Sequence, residues 1–271
     1  MNTLLLTVIP LLSLGGSMDE KDRGREPLPS GEITVTILFD NTAAQDGLEI
    51  GWGFAALLET PDHVILFDAG ADGEVLLENF RLLGKDPMAV ESVVISHAHG
   101  DHTGGLQALF DLGLRPKLYI LSGFQAEMPE GTAELVEMVE TSPGQQIVPG
   151  IRTTGRVGTA IPEQALMLDT QEGTVVLTGC AHPGVIEMLE KAQGLSSDPL
   201  YLVMGGFHLF QASQEQIQGI LGGFRRLGVE QMGATHCTGD LAISTFQDAF
   251  CESFRPLGVG RVLSFLLSSS V

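Results

Sequence analysis

The sequence predicts an α/β (α+β) fold in four layers, an αββα sandwich of two mixed β-sheets packed face to face with helices outside. Three observations point there. Short apolar, β-rich runs bounded by Gly, Asp or Pro recur along the chain. Segments with apolar residues at helical spacing separate many of them. One recipe, hairpin strands followed by alternating strand and helix, occurs twice, in pattern though not in sequence.

The elements follow in order. ITVTILF (33–39), FAALLET (54–60), HVILFDA (63–69) and SVVISHA (92–98) read as four strands. GEVLLENFRLLG (73–84) carries a helical apolar spacing and stops at Gly84, which reads as a C-cap. A helix over 104–113, a strand PKLYILS (116–122) and a mixed segment through 147 complete the first half. ALMLDT (165–170) and TVVLTG (174–179) open the second half, joined in hairpin fashion by Gln171, Glu172 and Gly173. A helix over 184–193, the strand YLVMGG (201–206), a helix over 212–227 and the strand-like VEQMGATH (229–236) follow. Residues 32–271 are therefore read as one domain, and 1–31 as an apolar segment with a linker. TLLLTVIPLLSL (3–14) has the length of a signal-peptide core and is followed by small residues. It has no Lys or Arg ahead of it and Pro10 interrupts it, so an exported (periplasmic) and a cytoplasmic protein are equally compatible. An ordinary strand, or a true start at Met18, would give the same letters.

Composition narrows the function. The 271 residues are 44% hydrophobic, enough for a sizeable core. With 14 Lys and Arg against 34 Asp and Glu, the net charge of −20 argues against a nucleic-acid partner, which needs clustered cations. No run reaches the roughly 18 apolar residues of a membrane span. Three cysteines, Cys180, Cys237 and Cys251, cannot form a disulfide framework.

The chemistry concentrates in Ser96-His97-Ala98-His99-Gly100-Asp101-His102, at the end of an apolar β-run. In extended chain, residues i and i+2 point the same way, so His97 and His99 can reach one metal ion, while Asp101 and His102 in the turn beyond can aim at a second. Further histidines follow predicted strands: His182 after TVVLTG, His208 after YLVMGG and His236 at the end of VEQMGATH. Six of the seven histidines thus sit where loops converge, and only His63 reads as an ordinary surface residue.

The His-x-His-x-Asp-His signature, preceded by Asp68-Ala69-Gly70 of LFDAG, resembles the metallo-β-lactamase superfamily from about residue 32 onward. The resemblance implies the αββα sandwich and one or two divalent metals at the sheet edge, zinc first, with manganese or iron as alternatives. His97 and His99 would hold the first metal; Asp101, His102 and His236 the second. Asp68 would orient the histidine loop from behind. Two departures matter. Gly150 to Gly155 lacks the histidine that many members place there, so His182 is expected to replace it. Cys180 stands where many members have a metal-bridging Asp, and is a tentative ligand. TGCAHPG, GGFHL and THCTGD are similar to the branch containing dihydropterin-ribofuranosylaminobenzene phosphate synthase, which does not by itself transfer a substrate.

The expected activity is that of a metal-dependent hydrolase, in which metal-bound hydroxide attacks a small ester, phosphoester or related molecule. Asp101 and His208 are the expected catalytic residues, with His208 on a Gly-flanked loop as hydrogen-bond or proton donor to the substrate. A transferase of the synthase type is the alternative. An iron-dependent redox or sensor protein is a third reading. Arg152 and Arg156 are the basic residues considered for a substrate phosphate.

Overall fold

The computed structural model describes residues 31–268, so the apolar segment and linker expected over 1–30 fall outside it. Two sheets form. The first comprises β1 (Glu32–Phe39), β2 (Ala55–Glu59), β3 (Val64–Phe67), β4 (Ser92–Val94), β5 (Lys117–Ile120), β6 (Met138–Glu140) and β13 (Val262–Leu266), in the order β13-β1-β2-β3-β4-β5-β6. The second comprises β7 (Gln146–Val148), β8 (Ile151–Thr153), β9 (Leu166–Thr170), β10 (Gly173–Thr178), β11 (Leu200–Gly206) and β12 (Gln231–Thr235), in the order β12-β11-β10-β9-β8-β7. Hairpin neighbours β1, β2 and β3 pair antiparallel, as do β9 and β10, whereas β3-β4-β5 and β10-β11-β12 are parallel.

Side-chain alternation builds the layers. Along β1, Ile33, Val35 and Ile37 face the second sheet, where they meet Leu166, Leu168, Val175 and Leu177. Leu38 and Phe39 belong to the opposite face, against α1 (Gly73–Leu82) and α3 (Leu106–Asp111). Met167 and Val176 of the second sheet point outward to α5 (Val185–Leu195), α6 (Gln214–Leu227) and α7 (Asp240–Phe250). Both sheets are covered on both faces, which is why their strands read as nearly unbroken apolar runs. Each fully buried Val, Leu or Phe adds about 1.5–3 kcal/mol relative to exposure.

Local signals set the helix ends. The Asp72 carboxylate accepts from the Glu74 and Val75 backbone N–H groups to start α1, and Ser213 with Gln216 forms a capping box at α6. Gly228, left-handed at φ 70°, ends α6. The helix expected over 104–113 is the shorter α3, and an additional single turn, α2 (Gly100–Thr103), precedes it and carries Asp101 and His102. Gly104 and Gly105 divide them because the chain there presses on the 69–71 loop; a Cβ would lie 2.2 Å from the Ala71 and Ala69 carbonyl oxygens, respectively. The mixed segment through 147 contains the short α4 (Thr132–Leu135), β6 and β7. Among the described residues no helix is long and apolar enough to cross a membrane.

Candidate metal centre

Strands from both sheets end at one edge, and the loops after them bring the chemistry together. After β4 come His97 and His99, after β10 Cys180 and His182, after β11 His208, and after β12 His236; α2 adds Asp101 and His102. Donor atoms of Asp101, His102, Cys180 and His236 all lie within 4.8 Å of one another, as do those of His97, Cys180 and His182, and those of His97, His99 and Asp101. Cys180 is thus common to one group from each side. The i, i+2 geometry is visible directly: His97 Nε2 and His99 Nδ1 are 3.2 Å apart. His208 is exposed and its ring centroid lies 4.3 Å from that of His182. With Cys180 and Cys237 it forms a further donor cluster.

Carboxylates behind the cluster fix its orientation. Asp68, wholly buried, accepts from the Ser96 N–H and hydroxyl, each at 2.7 Å, and lies 2.6 Å from His102 Nδ1. The other His102 nitrogen is 3.1 Å from Cys180 Sγ. Gly179 allows this approach, since a Cβ there would sit 2.2 Å from Ser96 Oγ. Glu163, also wholly buried, accepts from three successive backbone N–H groups, those of Cys180 (2.8 Å), Ala181 (2.8 Å) and His182 (3.0 Å), and lies 3.1 Å from His182 Nδ1. Asn41 Oδ1 lies 3.0 Å from His236 Nδ1, and the Asn41 amide donates to the His236 carbonyl. Asp68, Ala181, His208 and His236 all adopt left-handed backbone, φ 51–56°, uncommon for residues with a Cβ and concentrated at this one edge.

The electrostatics favour neutral rings at His97 and His102 beside ionised Asp101 and Glu163. Burial, reinforced by the neighbouring histidines, lowers His97 to about 3 and His102 to about 4. Burial works to raise Asp101 and Glu163, but the His236 and His102 rings beside Asp101, and His182 and His97 beside Glu163, outweigh it and hold both below the usual carboxylate range. Burial pushes Asp68 up to about 7 against the opposing pull of His97 and Ser96. A hydrogen bond to Cys237 raises His208.

These residues fit a bound cation. Imidazole rings with centroids 4.2–5.2 Å apart crowd their nitrogens together. His236 Nε2 is buried without a hydrogen-bond partner, 3.4 Å from Asp101 Oδ2. An orphan donor or acceptor in a set of imidazole, carboxylate and thiol is what a divalent ion would satisfy.

The family model of the metallo-β-lactamase superfamily matches residues 53–199, more than half of the chain. The chain belongs to the metallo-β-lactamase superfamily. It is 29% identical over 248 residues to 7,8-dihydropterin-6-methyl-4-(β-D-ribofuranosyl)-aminobenzene-5'-phosphate synthase of Methanocaldococcus jannaschii, covering 74% of this chain and 84% of that one. A solved metal-dependent hydrolase of the β-lactamase superfamily superposes with a TM-score of 0.73 at 27% identity, covering 85% of this chain and 98% of its own. A diphosphatase of the PhnP family shares the fold, with a TM-score of 0.62 at 15% identity over 87% of this chain and 98% of its own. The chain is accordingly an enzyme of the superfamily, with a donor set able to bind metal.

Against the sequence reading, the structure brings His97, His99, Asp101, His102, Cys180, His182 and His236 to one place, sets Asp68 behind them and puts His208 at their rim. Of the two arginines considered for a substrate phosphate, Arg152 is held in a bidentate pair with Asp169, at 2.6 and 2.9 Å, whereas Arg156 is exposed and donates to the Ser122 carbonyl. His63 pairs with Glu91, away from the site. Sequence reasoning missed Glu163, Asn41 and the aromatic rim formed by Trp52 and Phe210, whose rings meet edge to face at 6.2 Å. Each stands alone in a loop with no repeating pattern to mark it.

Proposed function

We propose that the enzyme is a metal-dependent hydrolase that cleaves an ester, phosphoester or related bond in a small molecule. One observation carries this reading: two donor groups meet at Cys180 Sγ, with the exposed His208 at their rim and, beyond it, a cavity of about 830 Å³ that shares His208 with the site. His97, His99, His182 and Cys180 would hold one divalent ion, and Asp101, His102, His236 and Cys180 the other; zinc suits this mixture of imidazole, carboxylate and thiolate. Such a pair supplies an acidified water and polarises the substrate oxygen.

The chain's own residues do the rest. Asp101 stays ionised and holds His236 in place. Glu163 fixes the 180–182 backbone, so that Cys180 and His182 are presented without searching rotamers. His208, whose hydrogen bond to Cys237 raises its affinity for a proton, can give that proton to the leaving group. Trp52 and Phe210, 53% and 47% exposed, offer apolar contact for the part of the substrate that does not react.

The similarity to a synthase supports a second reading, transfer between two bound organic molecules. Elemental analysis of protein purified without added metal, then assay in ¹⁸O-labelled water, separates the two. About two ions per chain and label in the product support the hydrolase. Chelator-sensitive turnover that leaves products unlabelled supports the transferase. Absence of metal after reconstitution overturns both.

A further inference from the structure

At the far end of the second sheet lies a separate cavity of about 360 Å³, lined by Arg255, Arg261, Tyr201, Gln231, Glu172 and Ser264 among others. Tyr201 and Gln231 are at the starts of β11 and β12, whereas His208 and His236 follow the ends of these strands. The length of β11, about 20 Å, separates this cavity from the metal centre.

Two guanidiniums share this cavity. In a protein of net charge −20, Arg255 and Arg261 both line it, and neither forms an ion pair among the described residues. Arg261 Nε is buried and has no hydrogen-bond partner. A guanidinium does not lose its proton, so this charge cannot be relieved by titration and a buried N–H without an acceptor is costly. The surroundings are built rather than loose. Arg255 Nε donates to Gln231 Oε1 at 2.7 Å, and Gln231 Nε2 donates to the Tyr201 hydroxyl at 2.9 Å. That chain orients Arg255 while leaving its terminal N–H groups and the Tyr201 proton without a hydrogen-bond partner among the described residues. Buried Phe254 and Phe265 supply an apolar floor.

We propose that this cavity is a second binding site, for a small molecule carrying a phosphate-type dianion, held between the Arg255 and Arg261 guanidiniums. Planar guanidinium forks match the oxygens of such a group, and two of them balance two charges. Glu172, the one carboxylate on the wall, opposes the ligand and limits its affinity. Because the site is remote from the metal centre, its occupant does not compete with substrate.

Inorganic phosphate is the probe, titrated into the metal-loaded enzyme in a zwitterionic buffer at constant chloride and read by calorimetry and thermal unfolding. Saturable binding is expected, weakened about tenfold or more in Arg255→Gln and in Arg261→Gln. Glu172→Gln is expected to bind several-fold more tightly. His99→Ala, depleted of metal, should bind phosphate as the parent does. Equal affinity in the parent, Arg255→Gln and Arg261→Gln overturns the proposal, as does absence of saturation up to about 20 mM. Loss of binding in His99→Ala with retention in Arg255→Gln would place the phosphate at the metal centre and also overturn it. Should Arg261→Gln not fold, the opposite shifts of Arg255→Gln and Glu172→Gln still decide the matter.

Discussion

The Asp68 carboxylate lies 2.6 Å from Nδ1 of His102, whose other nitrogen faces Cys180 Sγ at 3.1 Å. A single buried carboxylate therefore favours the His102 tautomer with its proton on Nδ1, leaving Nε2 free to face the donor cluster. Asp68→Asn places an amide where two donors need an acceptor, and metal affinity should fall about 10- to 100-fold. Competition with a chelator of known affinity measures it; unchanged affinity would show that His102 does not depend on Asp68.

Glu163→Gln tests the scaffold of the other donor group. The amide keeps one oxygen for the three backbone N–H groups and loses the charge facing His182. Folding stability should drop by about 1–3 kcal/mol in a urea titration, with partial loss of bound metal.

Cys180→Ser retains the backbone N–H bond to Glu163 and replaces only the sulfur. If the thiolate is the shared ligand, stoichiometry falls below that of the parent. Full metal content in the serine variant, by elemental analysis, would reduce Cys180 to a packing residue.

His208 meets the cluster through its ring contact with His182, its bonds to Cys237 and its proximity to Cys180. His208→Asn should leave metal content unchanged and lower kcat by about 10²- to 10⁴-fold, with the alkaline limb of the pH profile, where the proton donor titrates, gone. Equal metal loss in His208→Asn and His99→Ala would contradict the division of roles.

Asp40, buried and bonded to the Thr235 hydroxyl at 2.6 Å, offers a pH test free of metal. Burial, opposed by Thr235 and His236, raises it from 3.8 to about 6. The folded state holds this proton more tightly, so Asp40's contribution to stability is full below pH 3.8 and is lost as pH rises through about 6. In metal-stripped protein, the difference between the parent and Asp40→Asn should move by on the order of 2–3 kcal/mol between pH 4 and pH 7, to the parent's disadvantage at the higher pH. A constant difference in urea midpoints would contradict the shift.

Much of this was legible in the chain because two physical signals are local. Runs such as ITVTILF are apolar on both faces because both faces are covered, and His97, His99 and His102 are close in sequence because one strand end and one helical turn present them. What escaped was short or long-range. β6, β7 and β8 have three residues each, too few to show a period. α7 buries only Ala242 and Phe246 of its eleven residues, and β13 joins the sheet through pairing with β1, more than two hundred residues away. Glu163 acts on backbone N–H groups, which every residue type has, so no side-chain pattern announces its partner.

The donors come from loops spread from Asn41 to Cys237, and that spacing has a consequence for biosynthesis. His97, His99, Asp101 and His102 leave the ribosome well before His182 and long before His236. A cation captured by the nascent chain would meet only this first loop, exposed and exchangeable. A metal held by the full donor set would therefore be selected late, by the finished protein, from the ions available where folding ends.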